Sequence, residues 1–454
     1  MKKYILFAAI LGLVLAGYWY FGINKNASTE KVKINIIGEN SSTIQAMMTL
    51  EKDYEALKPN IDLVFHPNTF DDAFNKANQD FANKTGLYDL IIQYNFSLSS
   101  FVENKYVYTL DELNKDIPQS NLAFEKNLLK NYWEELGYYF KDSKSSDRSI
   151  MKVGYPSAAL TMVLMYNKEM FDNPVNKQAY EKKYKKPLSI PSNWADFYNV
   201  AQFFTDNNEG QKGVCIEGGT GGFLYFELMN FIGNMGGKLL DSDRGWDSNK
   251  NTKILVASKE NIKALEYYKT LKPFNQGGYS NVEQFEQMKI MKDGKTAMAL
   301  VWSDMLYPSI KTENGFDSRF GFATVPGQGS ILGGGAFFVN KQTKYVKEVT
   351  EFINYIMQED TQVKLTLKGY CSPLSSAYSD VRVEKLPYGI ALKQSLERAN
   401  ITLVAGLDAN IINEVVTTYV QKYWNEDLTP QQALSQAQNE IQNKRTEIFK
   451  NLNK

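Results

Sequence analysis

At 454 residues the chain is too long for one ordinary hydrophobic core and predicts two or three domains. Its 51 Lys and Arg balance its 51 Asp and Glu, which excludes a net basic field for holding nucleic acid. Two cysteines, Cys215 and Cys371, exclude a disulfide framework but leave their own pairing open. With one histidine, His66, the composition predicts no Cys/His metal cluster.

The N-terminus predicts export. Met1-Lys2-Lys3 is a short basic start, and Tyr4 to Gly17 is apolar, as in a secretory signal. Leu13 to Gly17 reads like the lead-in to a lipoprotein cleavage site, but Tyr18 stands where the lipid-bearing cysteine would be, so no thioether can form. The apolar run reaches Ile23, the lower range of a membrane span. Residues 1–30 are therefore expected to be a signal peptide or an uncleaved anchor, followed by a polar tether.

Val32–Ile37, Ile61–Phe65 and Leu87–Gln93 are strand patterns separated by helical patterns, one running to Leu57 and one over Phe70–Phe81. This alternation predicts a mainly parallel sheet, with ligands expected beyond the carboxyl ends of its strands. Those ends are Gly38–Asn40, His66–Thr69 and Tyr94–Asn95. Gly154-Tyr155-Pro156 precedes one apolar run, Ala158–Tyr166, and Phe171–Ser189 reads as a polar surface insertion. Pro191 to Trp194 opens a helix to Phe204. The glycine loop Gly218–Gly222 precedes another, Phe223–Ile232, and lacks the Lys-Ser/Thr ending of a nucleotide loop. A turn unit at Gly236–Asp243 leads to Trp246, and helices are expected at Lys259–Lys269 and Ser280–Met291.

Phe285–Gly335 is the richest stretch. A turn at Asp293-Gly294 releases the apolar strand Thr296–Val301, which ends in Trp302 and Asp304. Phe320–Pro326 then leads through Gly333-Gly334-Gly335 into Ala336–Asn340. An aromatic face, a carboxylate and a flexible loop fall together, the material for one wall of a polar-ligand cleft. Helical patterns follow at Tyr345–Met357, Asp360–Lys368, Pro387–Ala399, Ile411–Tyr423 and Gln431–Leu452.

No catalytic constellation emerges. A lone His66 at a strand end leaves a Ser-His-Asp centre without support. Glu39, Glu217 and Asp304 offer carboxylates for glycosidic chemistry, but no spacing singles out a pair. The expectation is a non-enzyme without cofactor or metal.

Four phrases, in this order and separation, carry a resemblance. They are Tyr88–Ile92 with Tyr108–Leu113; Leu164–Phe171 with Pro191–Trp194; Asp293–Met298 leading to Trp302; and Gly333–Lys341 with the helix after Glu348. From Lys31 to the last helices, the chain resembles extracellular solute-binding proteins of the family 1 type. These include maltose-, oligosaccharide- and glycerol-phosphate-binding components of ABC importers. The resemblance implies an α/β, periplasmic-binding-protein-like type II fold with two α/β lobes joined by a multi-crossing hinge. Residues 31–153 with 301–357 would form lobe one, and 154–300 with 358–454 lobe two. It implies a monomer outside the cytoplasm that closes on a sugar, oligosaccharide or polyol and presents it to membrane permease subunits. The alternatives are a sensor of the same fold, a glycan-acting enzyme or a surface adhesion protein. Family pockets would fall at Glu39, Asn40, Tyr94, Asn95, Tyr155, Gly219, Tyr225, Trp246, Trp302, Asp304, Gly334 and Gly335. Trp302 is the expected stacking platform, and Arg398 the contact if the ligand is anionic.

Overall fold

The computed structural model describes residues 31–141, 149–207, 210–219, 222–278 and 282–451. The expected signal or anchor segment, part of the Gly218–Gly222 loop and the start of the expected Ser280–Met291 helix lie outside them.

The strands, in chain order, are β1 (Val32–Glu39), β2 (Ile61–Asn68), β3 (Leu90–Tyr94), β4 (Tyr138–Phe140), β5 (Ile150–Lys152), β6 (Pro156–Leu160), β7 (Met162–Asn167), β8 (Lys212–Cys215), β9 (Thr296–Trp302), β10 (Lys311–Thr312), β11 (Gly315–Phe316), β12 (Phe320–Thr324), β13 (Ser330–Val339) and β14 (Ala399–Thr402). They build two main sheets. The first runs β2-β1-β3-β13-β14, with β6 also paired to β13. β1 is parallel to β2 and β3, and β13 is antiparallel to β3. The second sheet runs β12-β7-β9-β8.

Both sheets are covered on their two faces, so their central strands read as continuous apolar runs. Every residue of β9 and of β13 is buried. One face of the first sheet packs Ile34, Ile36, Ile92 and Phe337 against the helix Val346–Ile356. That helix buries Val349, Phe352, Ile353 and Ile356, spaced to form one stripe. The opposite face packs Ile37, Ile91 and Phe338 against Phe81 and Phe101. The second sheet shares its apolar cluster with the helices Trp194–Asn207, Phe223–Asn234, Lys259–Thr270, Ala409–Trp424 and Pro430–Asn451.

The apolar run Ala158–Tyr166 falls in two strands. β6 belongs to the first sheet and β7 to the second, with Thr161 alone between them. The break leaves no mark in the pattern because both strands are buried on both faces. Three chain segments meet here. The Thr161 hydroxyl donates to Ser330 Oγ at 2.7 Å and lies 2.8 Å from the Ile331 carbonyl oxygen. Thr161 N–H donates to Ser303 Oγ at 3.1 Å, and Ser303 N–H returns to the Thr161 carbonyl at 2.9 Å. Thr161, Ser303 and Ser330 are all buried, so this hydrogen-bonded junction ties the two sheets without water.

The sheets divide the chain differently from the expected segment boundaries. Phe320–Thr324, expected with lobe one, pairs antiparallel with β7 in the second sheet. Pro156–Leu160, expected with lobe two, pairs with β13 in the first. The helix expected over Pro387–Ala399 ends at Glu397, and Ala399–Thr402 form β14 beside β13. The helix expected to Leu57 is two, Ser42–Met48 and Glu51–Leu57. The polar stretch after Phe171 contains the helix Pro174–Tyr184, capped by Asn173 and burying only Tyr180.

Candidate functional site

The cleft lies where the two sheets meet, and strand ends build it. β1 ends at Glu39, and β3 ends at Tyr94 with Asn95 and Phe96 in the next turn. β9 ends at Trp302 with Asp304 in the following turn, and the middle of β13 contributes Gly333 and Gly334. Leu160, Phe70, Phe223, Phe226, Gln284 and Leu403 complete the lining. The free space between these walls is about 70 Å³, room for about five waters.

Each wall has a local cause. Thr69 caps the helix Phe70–Asn83 by accepting from Asp72 N–H at 3.2 Å, which sets Phe70 in the first turn facing the end of β3. Phe70 stacks on Tyr94 at 5.4 Å and lies 5.3 Å from Phe96. Across the cleft, Phe226 meets Trp302 edge to face at 5.6 Å. Gly333 lets the indole lie against β13, since a Cβ there would sit 2.9 Å from the ring. Gly334 has φ +122° and would place a Cβ 2.2 Å from the Ala158 carbonyl oxygen, so only glycine keeps β6 and β13 paired here.

The polar groups of the cleft are few and incompletely paired. The Tyr94 hydroxyl donates to Glu39. Burial raises the Glu39 carboxyl above its usual range, and the bond from Tyr94 opposes that. Asp304 is 7 % exposed and is pushed up to about 7, first by burial and then by the charge of Glu39. Its Oδ1 and the Nδ2 of Asn95 are buried without a hydrogen-bond partner. Such groups cost free energy unless something supplies a partner.

Of the residues expected to bind, Glu39, Tyr94, Asn95, Trp302, Asp304 and Gly334 line this one cleft. Gly335 lines the adjoining recess behind Glu39 and Tyr94. The others do not come to it. Asn40 accepts from Gln45 Nε2 at 2.6 Å at the surface. Tyr155 is 2 % exposed, packed by Phe124 and Trp133, with its hydroxyl donating to Glu125. Trp246 is core against Tyr139 and Phe140, its indole N–H donating to the Glu134 carbonyl at 2.8 Å. Tyr225 is buried behind Phe226 and its hydroxyl accepts from Val404 N–H. Gly219 N–H donates to the Val282 carbonyl, and its Cα faces the Glu283 side chain. Arg398 donates to Thr324 Oγ1 and the Gly327 carbonyl, tying the approach to β13. Phe70, Phe96 and Phe226 were not expected in the site. A phenylalanine in a helix's first turn carries no sequence mark distinguishing cleft from core. His66 lies at the end of β2, 3.0 Å from Asn35 Oδ1. Cys215 and Cys371 are both free and buried.

Beside the Gly219 loop lies a second acidic feature. Glu217 and Glu227 are 0 % and 2 % exposed, and Glu227 accepts from Glu217 N–H at 2.6 Å. Burial lifts both carboxyls, Glu227 to about 8, and the charge of Glu227 lifts Glu217 further. Their raised folded-state values mean that the native protein keeps protons the unfolded chain releases. Stability from this pair is therefore full below about pH 4.5 and is lost as pH rises toward 8. Glu227→Gln is expected to recover roughly 2 kcal/mol at pH 8 relative to pH 5, read by urea denaturation at both values. An equal pH dependence in variant and wild type would contradict it.

Two covered sheets joined where Thr161, Ser303 and Ser330 meet, with a cleft of strand ends between them, define a two-lobed protein. The chain belongs to the bacterial extracellular solute-binding protein family, which its residues 49–388 match. No curated protein sequence matches it. Solved structures share the fold. An ABC transporter solute-binding protein of Agrobacterium radiobacter K84, in complex with ribitol, is 21% identical, covers 91% of this chain and 98% of its own, and has a TM-score of 0.74. The GacH receptor of Streptomyces glaucescens, solved unliganded and with acarbose, is 17% identical over 92% of this chain and 99% of its own, with a TM-score of 0.74. Maltose-bound MalE3 of T. maritima is 16% identical over 90% and 99%, with a TM-score of 0.72. The family acts outside the cytoplasm. Among the described residues, no helix is long and apolar enough to cross a membrane.

Proposed function

We propose that the protein is the extracytoplasmic capture subunit of an ABC importer, and that its solute is a sugar, oligosaccharide or polyol held in the Trp302 cleft. One observation carries this reading: an aromatic-lined cleft between two sheets contains a buried acceptor, Asp304 Oδ1, and a buried donor, Asn95 Nδ2, both unpartnered. A polyhydroxylated solute supplies hydroxyl donors and acceptors to both groups and lays its C–H face on the indole. The proteins of like fold were solved with ribitol, acarbose and maltose, solutes of this chemistry. In this reading the sheets are the cores of two lobes that pivot near Thr161, Ser303 and Ser330. Closure then follows from contacts the solute makes only with both lobes together. Residues 1–30 act as an export signal or anchor with a tether, and the chain binds without catalysing.

A thermal-shift screen over sugars, polyols and glycerophosphodiesters tests the reading. At a hundredfold excess over Kd the correct solute contributes about 2.7 kcal/mol, an upward shift of a few degrees. Absence of a shift with every such solute would contradict it.

A further inference from the structure

The cleft holds two carboxylates and no matching cation. Among its described lining residues Glu39 and Asp304 are acidic, and none is Lys, Arg or His. Elsewhere the fold does match a buried aspartate: Asp408, fully buried, has Arg445 at 2.7 Å. Asp304 has no such partner, and its Oδ1 is left without any hydrogen bond. Tyr94 reaches Glu39 but, as a neutral hydroxyl donor, does not cancel its charge.

The surrounding rings suit a positive charge as well. Phe70, Tyr94 and Phe96 are mutual neighbours, with centroids 5.3 to 6.3 Å apart, beside Glu39. Phe226 and Trp302 face them from the other wall. Aromatic faces attract cations through their quadrupole, and an ammonium brings a full positive charge to a carboxylate where a hydroxyl brings only a dipole. A neutral hydroxyl would satisfy Asp304 Oδ1 but would bring no positive charge to the two carboxyls.

We propose that the solute of this cleft is a sugar or polyol bearing a basic amine, its ammonium seated at Asp304 and Glu39 and its hydroxylated body against Trp302. This rests on the capture reading above and narrows it. The amine supplies donors to Asp304 Oδ1 and neutralises the pair, while a hydroxyl oxygen of the same solute can accept from Asn95 Nδ2.

Isothermal titration of the full-length exported chain with matched solutes decides it. Suitable sets are glucosamine, glucose and N-acetylglucosamine, and 1-amino-1-deoxysorbitol with sorbitol. Within any set that binds, the amine is expected to bind about ten- to a hundredfold tighter than its neutral counterparts. In Asp304→Asn and in Glu39→Gln that advantage is expected to shrink at least fivefold. The wild-type sets decide the point even if a variant fails to fold. A neutral member binding as tightly as its amine would overturn the amine and leave capture standing. If no sugar or polyol binds, amine or neutral, the capture reading falls and this inference with it.

Discussion

Replacing Trp302 by alanine is expected to weaken solute binding by about 30- to 1000-fold, roughly 2–4 kcal/mol. The indole is 8 % exposed, so most of its area is already committed to the protein. It lies against Gly333 and meets Phe226 edge to face. That packing fixes its orientation before a solute arrives, and the solute therefore orders little on binding to it. Truncation removes the apolar platform and opens a void that unravels the Phe226 wall. The same change should lower stability by about 3–5 kcal/mol, so binding must be measured by titration at a temperature where the variant is folded. Trp302→Phe, which keeps a ring, should retain most of the stability and lose less affinity. If Trp302→Ala bound the solute as the wild type does, the cleft assignment would be wrong.

The largest effect expected far from the cleft is at Arg445. This residue sits on the C-terminal helix Pro430–Asn451 and is 2 % exposed. Its guanidinium is 2.7 Å from Asp408, 2.5 Å from the Thr252 and Asn249 carbonyls, and 2.9 Å from Ser248 Oγ. Ser248 Oγ in turn donates to Asp408 at 2.8 Å. One side chain thus ties the last helix, the 248–252 loop and the start of the Ala409–Trp424 helix. Arg445→Met leaves a fully buried aspartate and two carbonyls without their partner. Breaking such a pair costs about 3–5 kcal/mol, measured as a fall in the urea midpoint. The double variant Asp408→Asn with Arg445→Met removes both charges and should recover part of that loss. A single variant as stable as the wild type would contradict the clamp.

The legible and illegible parts of the sequence separate for physical reasons. β9 and its end were readable because an apolar run, an indole and a carboxylate follow one another along one strand, and all three keep that order in the cleft. The Tyr94–Asn95 end was readable because a parallel strand must present its carboxyl end to a crevice. The crossing at Thr161 was hidden, since a threonine between two doubly covered strands leaves the run apolar. β14 was hidden because Ala-Asn-Ile-Thr has neither length nor a clear period. Trp246 was read as a cleft aromatic because a tryptophan after a turn says nothing about which layer receives it. In the fold it fills the space between Tyr139 and Phe140. The Phe70–Tyr94–Phe96 group joins a helix start to a strand end, a contact set only by tertiary packing.

In the proposed function, solute is captured between two lobes that close on it. Small-angle X-ray scattering of the protein with and without the solute that stabilises it most tests this directly. A smaller radius of gyration is expected at saturation, with Trp302→Ala needing a higher solute concentration, by about 30- to 1000-fold, to reach the same decrease. Saturable binding with an unchanged scattering profile would contradict capture by closure.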